Sequence, residues 1–317
     1  MIKKTIVSVI CLGLLAAVPA AWAKKFDPPL KTVDVLIAGE RVMDIAVALG
    51  MAPRAFVGRY SLWEDGEYIT KVTQLLGCPV RACKKVPSTV PDALDRMKLN
   101  RVIIEKSVQY CLYKPKVFPE CIRKGISDRH DLTIDTVDFS KGLESAVKQT
   151  AALLGVTGEK ADAVMASYSK NMQIAQKNVE RATPGKRVLI LTGTFQKDTG
   201  KTFLRVEAAG GYADKYLLAP LKAENVGNAL VKKIKKSKGH FTIRKLDGLA
   251  TVNPDIIVIT GDAAAVQKAL NKAVVKHPGL ANVKALKNSA VFVLPAYRDC
   301  GPLEYPEKLN KWACMFR

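Results

Sequence analysis

Histidine is nearly absent from this chain: His130, His240 and His277 are the only three in 317 residues. That leaves little imidazole for capture of a naked transition metal or for general acid–base chemistry. No glycine-rich phosphate loop occurs, and no Ser, His and Asp stand in a triad-like context, so nothing indicates a nucleotide-hydrolysing or acyl-transfer enzyme. His240 lies in a lysine-rich stretch and His277 precedes Pro278, positions that read as surface. Past the N-terminus no segment approaches ~18 unbroken apolar residues, the length a membrane-spanning helix needs. Carboxylates are also short, with 29 Asp and Glu against 50 Lys and Arg, for a formal net charge of +21. Such a charge favours anionic partners without choosing among them.

What is present is a cored, globular composition, 48% hydrophobic and 25% charged, with room for two domains. Residues 1–23 read as a cleavable export signal. Lys3 and Lys4 form a basic start, Thr5 to Val18 is apolar, and Ala21-Trp22-Ala23 places small residues where a signal peptidase cuts. Removing the two lysines takes the charge to +19. Cys11 follows Ser8-Val9-Ile10, a poor lipoprotein box, so a soluble periplasmic protein without a lipid anchor is expected. Nucleic acid is not expected as a partner there. The basic run Lys232 to Lys238 lacks the interleaved aromatics of a single-strand-binding groove.

Six cysteines remain: Cys78, Cys83, Cys111, Cys121, Cys300 and Cys314. An even count in an oxidising compartment reads as three disulfides, and closeness in sequence favours Cys78–Cys83, Cys111–Cys121 and Cys300–Cys314. The spacings match no zinc pattern, and no protein-bound metal is expected.

Along the chain, Val33–Ile37, Ala55–Val57 and Arg101–Ile104 read as strands, with helical segments at Glu40–Leu49 and Ser88–Lys98. Strand and helix in alternation imply βαβ units and a parallel sheet. From Gly158 to Ala182 no breaker intervenes, and Ala161, Met165, Tyr168, Met172, Ala175 and Val179 repeat at helical spacing, predicting one long helix. The βαβ pattern then restarts, with strands at Arg187–Thr192, Thr202–Val206, Asp255–Thr260 and Ala290–Leu294. The expected fold is α/β: two Rossmann-like lobes, residues 24–145 and 184–317, joined through a connecting segment 146–183 with the ligand cleft between them. Ligands on such sheets bind beyond the carboxyl ends of the strands.

Four stretches in this order resemble the substrate-binding proteins of ATP-driven importers, the helix-linked class serving siderophores, haem, cobalamin, metals or oxyanions. They are Ile37 to Gly58; Leu153-Leu154-Gly155 with Gly158-Glu159-Lys160-Ala161; Ala208-Ala209-Gly210-Gly211; and Leu246 to Pro295 with Asn253-Pro254-Asp255. The cysteine-bearing segment 78–121 and the run 232–238 depart from the class. The resemblance implies a monomeric, non-enzymatic carrier without a cofactor that delivers its ligand to an inner-membrane permease. It also implies one acidic docking residue per lobe, falling at Asp92 and Asp247. A sensor or sequestering module of the same fold is the alternative, and a tetrapyrrole-processing enzyme a more distant one.

Strand ends and loops supply the candidate ligand contacts. Glu40 and Arg41 follow the first strand, Arg59, Tyr60 and Trp63 the second, and Tyr110 the third; Phe195, Arg205, Tyr297 and Arg298 belong to the C-terminal lobe. Arg beside Tyr occurs in both lobes, at Arg59-Tyr60 and Tyr297-Arg298. Guanidinium and phenol groups suit anionic oxygens, and the aromatics suit a flat surface. An anionic metal chelate (ferric siderophore, haem or corrinoid) is the expected ligand, with an oxyanion or metal ion as the alternative.

Overall fold

The computed structural model describes residues 29–63, 66–231 and 237–317. The expected export signal with Cys11 and residues 232–236 of the basic run lie outside them. In the N-terminal lobe, β1 (Lys31–Ala38), β2 (Met51–Val57), β3 (Gln74–Leu75), β4 (Arg101–Lys106) and β5 (Thr133–Asp138) form a sheet in the order β3-β2-β1-β4-β5, parallel throughout. Alternation along β1 feeds two cores. Val35 and Ile37 pack with the helices Glu40–Ala48 and Leu143–Leu153, whereas Leu36 and Ala38 pack with the helix Thr89–Met97. A strand buried on both faces must be apolar at every position, which is why Val35 to Ala38 reads as an unbroken run.

The second sheet comprises β6 (Arg187–Gln196), β7 (Lys201–Glu207), β8 (Glu224–Asn225), β9 (His240–Ile243), β10 (Ile256–Gly261) and β11 (Val291–Val293). Its order is β11-β10-β6-β7-β9, with β8 also paired to β6. This sheet is mixed. β6, β8, β10 and β11 run parallel, but β7 is antiparallel to both neighbours. Only Lys197 to Gly200 separate β6 from β7, too few for a crossover helix, so the chain turns back as a hairpin.

The helix Gly158–Glu180 connects the lobes. Its start packs on the N-terminal core through Ala161, Val164 and Met165, and its end reaches the C-terminal core through Val179. Along its length it lies against the terminal helix Tyr305–Met315. At 1.5 Å per residue it is a rod of roughly 35 Å, which resists hinge bending.

The cysteines pair differently from their order in sequence. Cys83 is bonded to Cys121, with Cα atoms 6.0 Å apart, while Cys78, Cys111, Cys300 and Cys314 are free thiols. This overturns Cys78–Cys83 and Cys111–Cys121. The reason is local: Arg81 N and Ala82 N both donate to the Cys78 carbonyl, and the resulting helical turn Arg81–Lys85 carries Cys83 to Cys121. Cys300 and Cys314 also stand apart from the expected bridge. The Cys300 thiol donates to Glu40 Oε1 (3.7 Å), and Cys314 donates to Asn310 Oδ1 within the terminal helix (4.0 Å). Burial pushes the Cys300 thiol well up, keeping it an uncharged donor. Mass spectrometry of the chain from residue 24 onward should therefore find one disulfide, a mass two hydrogens below the reduced chain, and four alkylatable thiols. A Cys78–Cys83 or Cys300–Cys314 cross-linked peptide would contradict this arrangement.

Candidate ligand-binding site

The carboxyl ends of the strands in both sheets open on one cavity of about 570 Å³. From the N-terminal lobe come Arg59, Ser61 and Leu62 after β2, Cys78 to Val80 after β3, and Tyr110, Cys111, Tyr113 and Lys114 after β4. From the C-terminal lobe come Thr192, Gly193 and Thr194 on β6, Arg205 on β7, Lys238 and His240 at the start of β9, Gly261 ending β10, and Arg298 beyond β11. Among the described lining residues are five that carry Lys or Arg cations and none that carries a carboxylate. Arg59 Nη2 is buried and has no hydrogen-bond partner among the described residues.

Four of the expected contacts thus line the cavity: Arg59, Tyr110, Arg205 and Arg298. Glu40 and Arg41 do not. They open the helix after Gly39, whose φ of 126° and lack of a Cβ let β4 pass close; a Cβ there would lie 2.2 Å from Glu105 Cβ. Both are buried, Glu40 completely, and they knit the lobes together. The Glu40 carboxylate accepts from Arg59 Nε and from Tyr110 Oη. Arg59 lies 4.1 Å over the Tyr110 ring and donates from Nη1 to Tyr212 Oη of the other lobe at 3.0 Å. Arg41 pairs with Glu105 (3.1 Å) and, across the lobes, with Asp299, which also accepts from Tyr216 Oη at 2.8 Å. A cation and a carboxylate beginning a helix looked like ligand contacts in the sequence, but burial required each to be matched within the protein.

Trp63 is a core residue, with its indole nitrogen against the position a Gly301 Cβ would occupy. Tyr297 is buried too, in a ring cluster with Tyr216 and Tyr305 at 5.3 and 5.1 Å. Tyr60 and Phe195 are exposed and lie outside the cavity lining. Asp92 and Asp247 are exposed on their respective lobes.

Of the lining residues that escaped the sequence, Lys238 belongs to the basic run, and three others bear on the chemistry. Tyr113 and Lys114 sit in the cysteine-bearing segment, where no strand end marks them. The third is His240, which reads as a surface residue among lysines yet is 9% exposed and lines the cavity. Its strand is only four residues long, and β9 pairing with β7 turns it inward beside Glu207. His240 Nδ1 lies 3.0 Å from the Lys238 carbonyl; an N–H donated there leaves Nε2 with the lone pair. Burial, then the Arg298 charge, pushes His240 down to about 4, so the imidazole is neutral at pH 7 and its lone pair can accept a hydrogen bond or be donated to a metal. Burial pushes Tyr113 up to about 12, helped by Glu207, so its phenol is a protonated donor.

The His240 shift has a sign. A folded pKa below the unfolded value of about 6.5 means the unfolded chain takes the proton first as pH falls. Stability is therefore fully present above about pH 6.5 and is lost on acidification through about pH 4. Relative to a His240→Gln variant, the wild-type chain is expected to lose ~3 kcal/mol between pH 7 and pH 4, read by urea unfolding. A pH-independent difference between the two would contradict the burial assigned to the ring.

A cationic cavity between two α/β lobes, bridged by one rigid helix, defines a two-lobed capture protein. The chain belongs to the periplasmic binding protein family, whose profile matches residues 124–297. Among solved structures it is similar to a periplasmic haem-binding protein from Pseudomonas aeruginosa, at 18% identity over 89% of this chain and 91% of that one, with a TM-score of 0.53. It is likewise similar to the periplasmic haem-binding protein BhuT bound to two haems (16%, 90% and 100%, TM-score 0.55). A third likeness is to the iron-uptake binding protein FeuA of Bacillus subtilis (19%, 89% and 93%, TM-score 0.55). At these identities the likeness is one of fold. No curated protein matches the chain. Among the described residues no helix is long and apolar enough to cross a membrane.

Proposed function

We propose that this chain captures an anionic metal chelate, a ferric siderophore, haem or a corrinoid, and delivers it to an inner-membrane permease. The observation that carries the reading is the cavity lining: among the described residues it holds Arg59, Lys114, Arg205, Lys238 and Arg298 and no carboxylate, around a donor atom on Arg59 that has no partner among them. A buried anion needs just such cations and donors. The size, about 570 Å³, suits a ligand of many atoms and is generous for a bare oxyanion. The positive lining also disfavours a naked divalent cation, and no group of three or more His, Cys, Asp or Glu side chains suited to a metal occurs among the described residues. The family and the haem- and iron-linked names of the similar structures support the same choice. His240 Nε2 adds one neutral ligand for a chelated metal with an open position.

Delivery assigns Asp92 and Asp247, one exposed carboxylate on each lobe, to docking on the permease. Export through residues 1–23 and a monomeric carrier complete the proposal. The test is equilibrium dialysis of the purified chain against haemin, a ferric tris-catecholate, molybdate and zinc. One chelate per chain, uncompeted by molybdate or zinc, supports the reading. Tight zinc binding with no chelate bound would sink it.

A further inference from the structure

The β6–β7 ladder continues past the enclosed part of the cavity. Its register is unbroken from Leu191 opposite Val206 to Gln196 opposite Lys201. Successive side chains therefore alternate strictly between the two faces. Leu191, Leu204 and Val206 belong to the C-terminal core. The other face carries Thr192, Thr194 and Arg205, all of which line the cavity. It also carries Phe203, the cross-strand partner of Thr194. Phe203 stands two residues from Arg205, about 7 Å along the strand, and is 37% exposed. Phe195, on the same hairpin and 47% exposed, pairs with Thr202 and lies on the opposite face.

We propose that Phe203 is the apolar platform of the binding site, and that the ligand is an anion whose flat aromatic body extends over it. This rests on the anion-site reading above and narrows it. The charged end of the ligand lies in the cavity with Arg205 and Arg298, and its ring surface lies about 7 Å further out along β7, over the phenyl group. A compact hydrophilic anion fills the cavity and leaves Phe203 uncovered. An aromatic anion removes that ring from water and gains stacking on its face. Phe203 thereby sets specificity by shape and polarity, while the arginines set it by charge.

The experiment compares two ferric anions on the full chain by equilibrium dialysis: haemin, a flat ring with two carboxylates, and ferric citrate, which has no aromatic surface. Phe203→Ala is expected to bind haemin about tenfold more weakly and ferric citrate as the wild type does. Phe195→Ala, which removes a more exposed ring from the opposite face, is expected to match the wild type for both. Wild-type haemin affinity in Phe203→Ala, or equal losses in the two variants, overturns the platform. Failure of haemin to bind the wild-type chain overturns it as well, and failure of haemin, ferric citrate and a ferric tris-catecholate alike overturns the anion-site reading with it.

Discussion

Replacing Arg205 and Arg298 together by Ala is expected to weaken binding of the preferred chelate by at least about a hundredfold, each charge-assisted contact being worth ~1.5–3 kcal/mol. Both side chains come from the C-terminal lobe, one from β7 and one from the segment after β11, and both line the cavity. Arg205 is exposed and makes no ion pair within hydrogen-bonding range among the described residues, so its removal leaves no buried carboxylate unmatched. Arg298 differs: its charge offsets the burial of the Glu207 carboxylate, so the double variant is expected to lose some stability, whereas Arg205→Ala alone should unfold near wild type while its affinity, measured by dialysis, falls. Retention of wild-type affinity in the double variant would show that these guanidinium groups do not hold the ligand.

Arg59→Ala should behave in the opposite way. Arg59 also lines the cavity, but its Nε and the Glu40 carboxylate form a buried ion pair, and the ring of Tyr110 lies beneath the guanidinium. Burial opposes the Arg59 charge and Glu40 more than restores it, so the net shift is upward and the group stays charged. Removing one partner of such a pair leaves a carboxylate unmatched in a dry site, at a cost of about 3–5 kcal/mol. The same change also cuts the bond to Tyr212 across the lobes. Denaturant unfolding should register this loss directly. An Arg59→Leu, Glu40→Leu double variant should be more stable than Arg59→Ala alone, because no charge is left unpaired. Near-wild-type stability in Arg59→Ala would mean the Glu40 pair is not the keystone of the interlobe junction. Ligand affinity in this variant then reports folding and recognition together, which makes Arg205 the cleaner probe.

The contrast between these arginines shows where the sequence was legible. Strands buried on both faces, such as Val35–Ala38 and Ile256–Thr260, stand out as β-branched runs, and the connecting helix stands out by its period. The hairpin at Lys197–Gly200 was disguised by the strength of its two flanking strands, which match a βαβ pattern equally well until the four-residue turn is counted. At the site, position after a strand marked Arg59, Tyr110 and Arg298, and position on a C-terminal-lobe strand marked Arg205; all four line the cavity. The same rule could not tell a residue that meets the ligand from one that meets an internal counter-charge. Arg41 is of the second kind because Glu105 and Asp299, 64 and 258 residues away, are brought to it only by folding, and Glu40 because its carboxylate is taken by Arg59. His240 was missed for the same reason: its burial depends on pairing with Glu207 across β7 and β9. Proximity in the chain does not set the disulfide partners, because the turn after Cys78 decides which sulfur reaches Cys121.

The central claim is that the cationic cavity holds an anionic chelate. Native mass spectrometry of the full protein purified from its native host, followed by titration of the stripped protein with haemin and a ferric tris-catecholate, tests it most directly. The account predicts one adduct per chain with the mass and absorbance of a metal chelate, restored on titration and abolished in the Arg205→Ala, Arg298→Ala double variant. A divalent metal ion as the sole adduct, with neither chelate taken up by the stripped protein, would contradict it.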